Sequence, residues 1–333
     1  MVWPRRKGVS RLLDDVDYIA LDIELLEDLF YEHPLFDADF YIKKGNKFIF
    51  YRKRELPITR ERIRAWKDMG VKKVYLKVEA FEFYPQYLQG RLSHIMEDPC
   101  YQVERKAKIL YLVSESLLER AFRELDEVAI KNAKVFVRDT IRYLSDVPEL
   151  YRKFMGLMEH DFTTYLHSNN VFFLATSFSL HLGMPIKEVE KISLAALFHD
   201  LGKERVDQKI LQKPGSLDPH EWEEIKRHPI WSTQMLKEVR FSDELVLEVV
   251  EQHHESQDGS GYPKGLKGDQ IHPFSRLIKV CDVFEALCGI RPYRAPFTPE
   301  RAVEIMQTEM EGKLDEGVLK EFLAFLGYES EED

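Results

Sequence analysis

The chain has 333 residues, 44% apolar and 12% aromatic, which excludes a disordered protein and allows two packed cores. Its formal charge of −10, with an acidic end at Glu329 to Asp333, argues against a nucleic-acid polymer as partner, since that needs a broad basic surface to release counterions. Cys100, Cys281 and Cys288 form neither a disulfide framework nor a C-x-x-C zinc site, so a reducing cytoplasm is expected.

At the amino end, Arg5, Arg6, Lys7 and Arg11 precede no apolar stretch of the secretory kind. Residues 1–97 read as a small α/β (α+β) module. Asp39-Phe-Tyr-Ile-Lys-Lys and Lys47-Phe-Ile-Phe-Tyr-Arg flank Gly45-Asn46, a two-residue turn that predicts a hairpin. Thr59 caps a helix to Met69, Gly70 ends it, and Val71 to Val78 reads as a third strand. The segment carries no metal cluster, phosphate loop or nucleophile signature, so it is read as a regulatory or packing module with a regulatory partner.

Residues 98–150 read as a helical connector. Leu110, Val113, Leu117, Leu118, Ala121, Phe122 and Leu125 recur at helical spacing, a seam for the chain's own helices or for a homodimer. From residue 151 to 333 nearly everything reads as helix, giving an overall multidomain class of small α/β module plus all-α bundle. The run Val171 to Gly183, broken by Thr176, Ser177, Ser179 and His181, is too short to span a bilayer. Asp218-Pro-His-Glu is a helix start, with a capping Asp, Pro in the first turn and Glu three residues on.

Chemistry enters with the polar residues on apolar helix faces. Val189, Ile192, Ala195 and Ala196 share a face with His199, and Asp200 follows at the helix end, where Gly202 offers a cap. Adjacent His and Asp arise often by chance, and a buried histidine is more often hydrogen-bonded core than ligand. Val246, Val249 and Val250 direct His253 and His254 inward, and Ile278 does the same for Asp282, which an arginine could satisfy instead. His228 is placed at the carboxyl end of a capped helix, where the dipole favours it, and His167 alone is better read as bonding a turn.

Together they mean more, because unpaired polar groups in a core are costly. Five imidazoles and two carboxylates without thiolate suit iron, manganese or zinc, and seven donors exceed what one catalytic ion with an open position uses. Two divalent ions are expected, with Asp200 as the bridge.

The segment His253-His-Glu-Ser-Gln-Asp-Gly-Ser-Gly-Tyr-Pro-Lys-Gly-Leu-Lys-Gly-Asp-Gln-Ile271, after His199-Asp-Leu-Gly-Lys203, resembles an HD-GYP domain of the HD phosphohydrolase superfamily. Ser275-Arg276, Val280-Cys-Asp-Val-Phe-Glu-Ala-Leu287 and Arg291-Pro-Tyr-Arg294 extend the likeness over roughly Tyr151 to Gly327. The resemblance implies an all-α bundle that hydrolyses cyclic di-GMP, to linear pGpG and/or GMP, through a hydroxide bridging two ions, iron first and manganese as the alternative. It implies His167, His199, Asp200 and Asp282 on one ion and Asp200, His228, His253 and His254 on the other. It makes Asp200 and Lys203 catalytic and assigns Lys203, Tyr262, Arg291 and Arg294 to the substrate.

The family's three-metal members carry an acidic residue four positions before the first histidine. Here Thr163 stands there, so two ions are expected rather than three. The rival functions are a non-catalytic cyclic di-GMP receptor and another HD-type phosphohydrolase acting on nucleoside phosphates.

Overall fold

The computed structural model describes residues 18–23, 39–44, 47–52, 59–77, 92–93, 95–97, 102–146, 164–290 and 294–328. The chain divides into two compact units, Met1–Val113 and Ser114–Asp333.

In the first unit, β1 (Tyr18–Asp22), β2 (Phe40–Lys44), β3 (Lys47–Arg52) and β4 (Lys73–Lys77) make one antiparallel sheet, ordered β1-β4-β2-β3. The β2–β3 pair is the expected hairpin, with Lys44 opposite Lys47; the Gly45-Asn46 turn itself lies outside the described residues. Helix α1 (Arg60–Asp68) starts where Thr59 Oγ1 accepts from the Arg62 amide at 3.3 Å, and Gly70, at φ 76°, carries the chain out of it. Ile63 and Trp66 sit three apart and bury one face of α1, Trp66 meeting Phe40 with ring centroids 6.4 Å apart. Strand β1 was not anticipated: Tyr18-Ile-Ala-Leu-Asp is short, and its partner β4 lies some fifty residues away.

Helix α2 (Val103–Arg123) carries the seam. Leu110, Val113, Leu118, Ala121 and Phe122 are buried within the chain itself, so they lend no support to an intersubunit seam. Helix α3 (Glu127–Asp146) packs on the bundle through Ala129, Ile130, Ala133, Phe136 and Val137.

Helix α4 (Thr164–His181) is the bundle's axis, with every residue from Leu166 to Ser179 buried. It packs against α5 (Ile186–Phe198) and, from a distant part of the chain, α9 (Pro273–Cys288). Burial on all sides makes its polar residues costly unless they bond; Ser168, Asn169 and Ser177 have buried polar atoms without a hydrogen-bond partner, whereas two hydroxyls are satisfied. Thr176 donates to the Phe172 carbonyl at 2.7 Å and meets Ser193 at 2.8 Å, and Ser179 donates to the Ala175 carbonyl at 2.6 Å. Around the axis stand α6 (Pro219–Ile225), α7 (His228–Glu238), α8 (Glu244–Gln252), α10 (Pro299–Thr308) and α11 (Glu316–Leu326). Helix α6 starts with the expected reciprocal cap between Asp218 and Glu221. Phe322 of α11 closes the core edge-on to Phe178 and Phe284, with centroids at 5.2 and 5.4 Å. Among the described residues no helix is long and apolar enough to cross a membrane.

Two local expectations change. Gly202 is no helix cap; it lies in the short 3-10 turn Leu201–Arg205, where an added Cβ would stand 2.1 Å from the His228 carbonyl oxygen. A side chain there would push α7 away from the turn. His228 opens α7 instead of closing α6, yet its Nδ1 reaches back to the Ile225 carbonyl at the carboxyl end of α6, so the expected contact with that helix end is present.

Candidate metal centre

Five elements each deliver one or two polar side chains to the same volume of the helical unit. His167 comes from the first turn of α4, His199 and Asp200 from the end of α5, and His228 from the start of α7. His253 and His254 come from the end of α8, and Asp282 from the middle of α9. Six of these are buried and His254 is half-buried. All seven predicted ligands fall in two groups, Asp200 with His228, His253 and His254, and His167 with His199 and Asp282. Within each group one donor atom per residue lies inside 4.8 Å of the others.

Asp200 stands between the groups. Its Oδ1 is 3.1 Å from His228 Nε2 and 3.9 Å from His253 Nε2, while its Oδ2 is 3.4 Å from His167 Nε2 and 3.5 Å from His199 Nε2. His167 Nε2 lies 3.0 Å from Asp282 Oδ1, and His254 Nδ1 lies 3.7 Å from Asp282 Oδ2.

The opposite ring nitrogens decide what these contacts are. Nδ1 of His199, His228 and His253 each donates to the carbonyl three residues earlier, Ala196, Ile225 and Val250, at 2.7, 2.7 and 2.6 Å. That geometry assigns the proton to Nδ1 and leaves Nε2 a bare lone pair. Yet His228 and His253 Nε2 face each other at 3.2 Å, and His199 and His167 Nε2 at 3.3 Å. Asp200 Oδ1 is buried with no hydrogen-bond partner. Lone pairs converging on an orphaned carboxylate oxygen repel unless a cation lies among them. The donor set therefore fits divalent metal.

Electrostatics agrees. Burial holds His199 below its ordinary pKa and His253 and His254 well below it, so these rings are neutral. Burial pushes the Asp200 and Asp282 carboxyls up. Lys203 beside Asp200, and His167 beside Asp282, outweigh it and hold both well below the usual range.

The remaining predicted residues are placed unevenly. Lys203, partly exposed, sets its Nζ 2.5 Å from Asp200 Oδ2. Tyr262 lies over His254 with centroids 4.7 Å apart, and burial with the charges of Asp282 and Asp200 pushes its phenol up, so it stays protonated. Its loop is shaped by Glu255, whose carboxylate accepts from the Lys264 and Leu266 amides at 2.7 and 2.9 Å. Arg294 donates to the Ala286, Leu287 and Ala295 carbonyls at 2.7, 3.0 and 3.0 Å and stacks 4.3 Å from the Phe297 ring, holding the end of α9. Arg291 and Thr163 lie outside the described residues.

Sequence reasoning missed Glu285 and Asn170, which bond each other beside His167. The available signal was spacing, because each stands three residues after a predicted ligand on the same helix face. It also missed Trp222, 45% exposed and edge-on to Tyr262 at 6.0 Å.

The family described as "HD domain" matches residues 154–318. The chain is 30% identical over 276 residues to a cyclic di-GMP phosphodiesterase of Thermotoga maritima, covering 81% of this chain and 71% of that protein. It is 36% identical over 180 residues to a cyclic di-GMP phosphodiesterase of Pseudomonas aeruginosa, covering 54% and 43%. It is 39% identical over 156 residues to a 3'3'-cGAMP-specific phosphodiesterase of Vibrio cholerae, covering 46% and 36%. The match thus spans less than half the length of these last two relatives. The fold resembles that of an HDG"Y"P protein from Bdellovibrio bacteriovorus, with TM-score 0.68, 21% identity, and 93% of this chain and 100% of that one covered.

Proposed function

The chain belongs to the HD-domain family, in its HD-GYP group, and from that premise we propose that it hydrolyses a phosphodiester bond of cyclic di-GMP. The observation that carries the reading is the gathering of five imidazoles and Asp282 in two groups on the two sides of Asp200, whose Oδ1 is buried without a hydrogen-bond partner. A receptor that only binds a dinucleotide has no use for such a set.

Two divalent ions, iron first and manganese as the alternative, would be held by His167, His199, Asp200 and Asp282 and by Asp200, His228, His253 and His254. When bound they supply Lewis-acid stabilisation of phosphate charge and a water acidic enough to ionise near neutral pH. Asp200 faces both groups with different oxygens and so keeps them at a fixed separation. Lys203, partly exposed beside Asp200, neutralises an incoming phosphate and is the group positioned to protonate the leaving oxygen. Tyr262 keeps its proton and donates a hydrogen bond to a phosphate oxygen. The exposed ring of Trp222 continues the aromatic wall outward and suits stacking on a purine. Arg291 and Arg294 complete the substrate contacts by resemblance, Arg294 only if it exchanges a carbonyl for phosphate.

In the same reading residues 1–97 regulate, 98–150 connect, and 151–333 catalyse. The test is anaerobic purification, metal analysis, and turnover of cyclic di-GMP beside 3'3'-cGAMP, with product resolved as pGpG or GMP. Binding of cyclic di-GMP without turnover by metal-loaded protein would leave the receptor standing.

A further inference from the structure

Glu285 is a buried carboxylate, 6% exposed, that the hydrolytic reading leaves unused. It stands one turn beyond Asp282 on the same face of α9. On the facing helix α4, His167 and Asn170 repeat the three-residue step, and the two pairs interlock. His167 Nε2 faces Asp282 Oδ1 at 3.0 Å, His167 Nδ1 bonds Glu285 Oε2, and Asn170 Nδ2 donates to Glu285 Oε1 at 2.9 Å. The group at 285 thus accepts from two donors through two oxygens, which a carboxylate does and a carboxamide, with one oxygen, does not.

The other imidazoles with assigned Nδ1 partners, His199, His228 and His253, use backbone carbonyls. A carbonyl is neutral. A carboxylate behind Nδ1 draws its proton and raises the electron density at Nε2, which strengthens that nitrogen as a ligand. The cluster is therefore lopsided in what stands behind its rings. His167 and His199 face Asp200 Oδ2, which also holds Lys203, and the Glu285 carboxylate lies behind His167, whereas His228 and His253 face Oδ1 with only carbonyls behind.

Resting on the metal reading above, we infer that Glu285 is a positioning residue that makes the two ion positions unequal. The position of His167, His199 and Asp282 is the tight one, and that of His228, His253 and His254 is the exchangeable one.

The experiment is calorimetric titration of Mn²⁺ into the full chain after chelator treatment. Wild type shows a tight step followed by a weaker one. Glu285→Gln weakens the tight step by about 10–100-fold, the range for loss of a partner behind a metal ligand, and leaves the weak step in place. Glu285→Asp, which keeps the charge on a side chain one methylene shorter, recovers part of the loss and still weakens the tight step relative to wild type, and an unchanged thermal midpoint of the metal-free Gln variant shows that packing is intact. Should the Gln variant not fold, the shorter Asp variant decides, with selective weakening of the tight step supporting the proposal and two unchanged steps overturning it. Equal weakening of both steps, or of neither, in Glu285→Gln overturns it too. A wild-type chain that binds no Mn²⁺ refutes the metal reading instead.

Discussion

The sheet unit closes over Ile23, Phe40, Ile63, Trp66 and Val74, each at most 3% exposed, while the helical unit closes over His199, Asp200, His228 and His253, each at 0%. At these positions the first gains from burial, since apolar area removed from water contributes about 25 cal/mol per Å². The second gains nothing from water exclusion at these positions and loses hydration. Its polar core needs the hydrogen bonds behind each ring and a cation in front. Among the described residues, the positions compared are apolar in one unit, whereas the other keeps buried polar groups that cost stability and carry chemistry.

The largest expected effect breaks the polar core at its centre. Asp200→Ala should lower cyclic di-GMP turnover at least about a thousandfold, the upper end for loss of one electrostatic element, with ion content reduced. Unchanged turnover would separate the reaction from this cluster. The apolar core should behave differently. Phe40→Ala leaves a cavity costing about 3–5 kcal/mol, read by hydrogen exchange in residues 40–76, while ion content of the purified protein is retained; loss of ions would show that the two cores are not independent.

Acid sharpens the same contrast. His199, His253 and His254 are held below the ordinary value of 6.5 in the folded chain. Below that pH the unfolded chain binds protons that the folded one refuses, so stability falls as pH falls. Each such ring contributes up to about 1.4 kcal/mol per pH unit. The depressed Asp200 and Asp282 act only near and below 3.8. Metal-free protein should thus lose thermal stability between pH 7 and 5 in helical-unit probes, with the sheet unit unmoved and metal-loaded protein resisting. A flat profile would mean that the rings are not buried neutral. The smallest effect is at the rim. Trp222→Ala should raise KM for cyclic di-GMP several-fold, about 1 kcal/mol at the low end of base stacking, and leave hydrolysis of a phosphodiester without a purine unchanged. Equal losses on both substrates would make Trp222 structural.

From the sequence alone came what a helix decides locally. The 3.6-residue period put His199 on the face of Ile192 and Ala195, and His253 on that of Val249, because burial of one helical neighbour implies burial of the next turn. The hairpin and the Asp218 cap were legible for the same reason, being set by residues a few positions apart. Helix α4 gave no face to read, because it is buried all round. Only the tertiary structure decided which atoms meet. Glu285 and His167 are 118 residues apart and bond because α4 and α9 pack at that turn. Gly202 is required by the His228 carbonyl of another helix, not by its own turn. No local period encodes such crossings, since they follow from how whole helix faces pack.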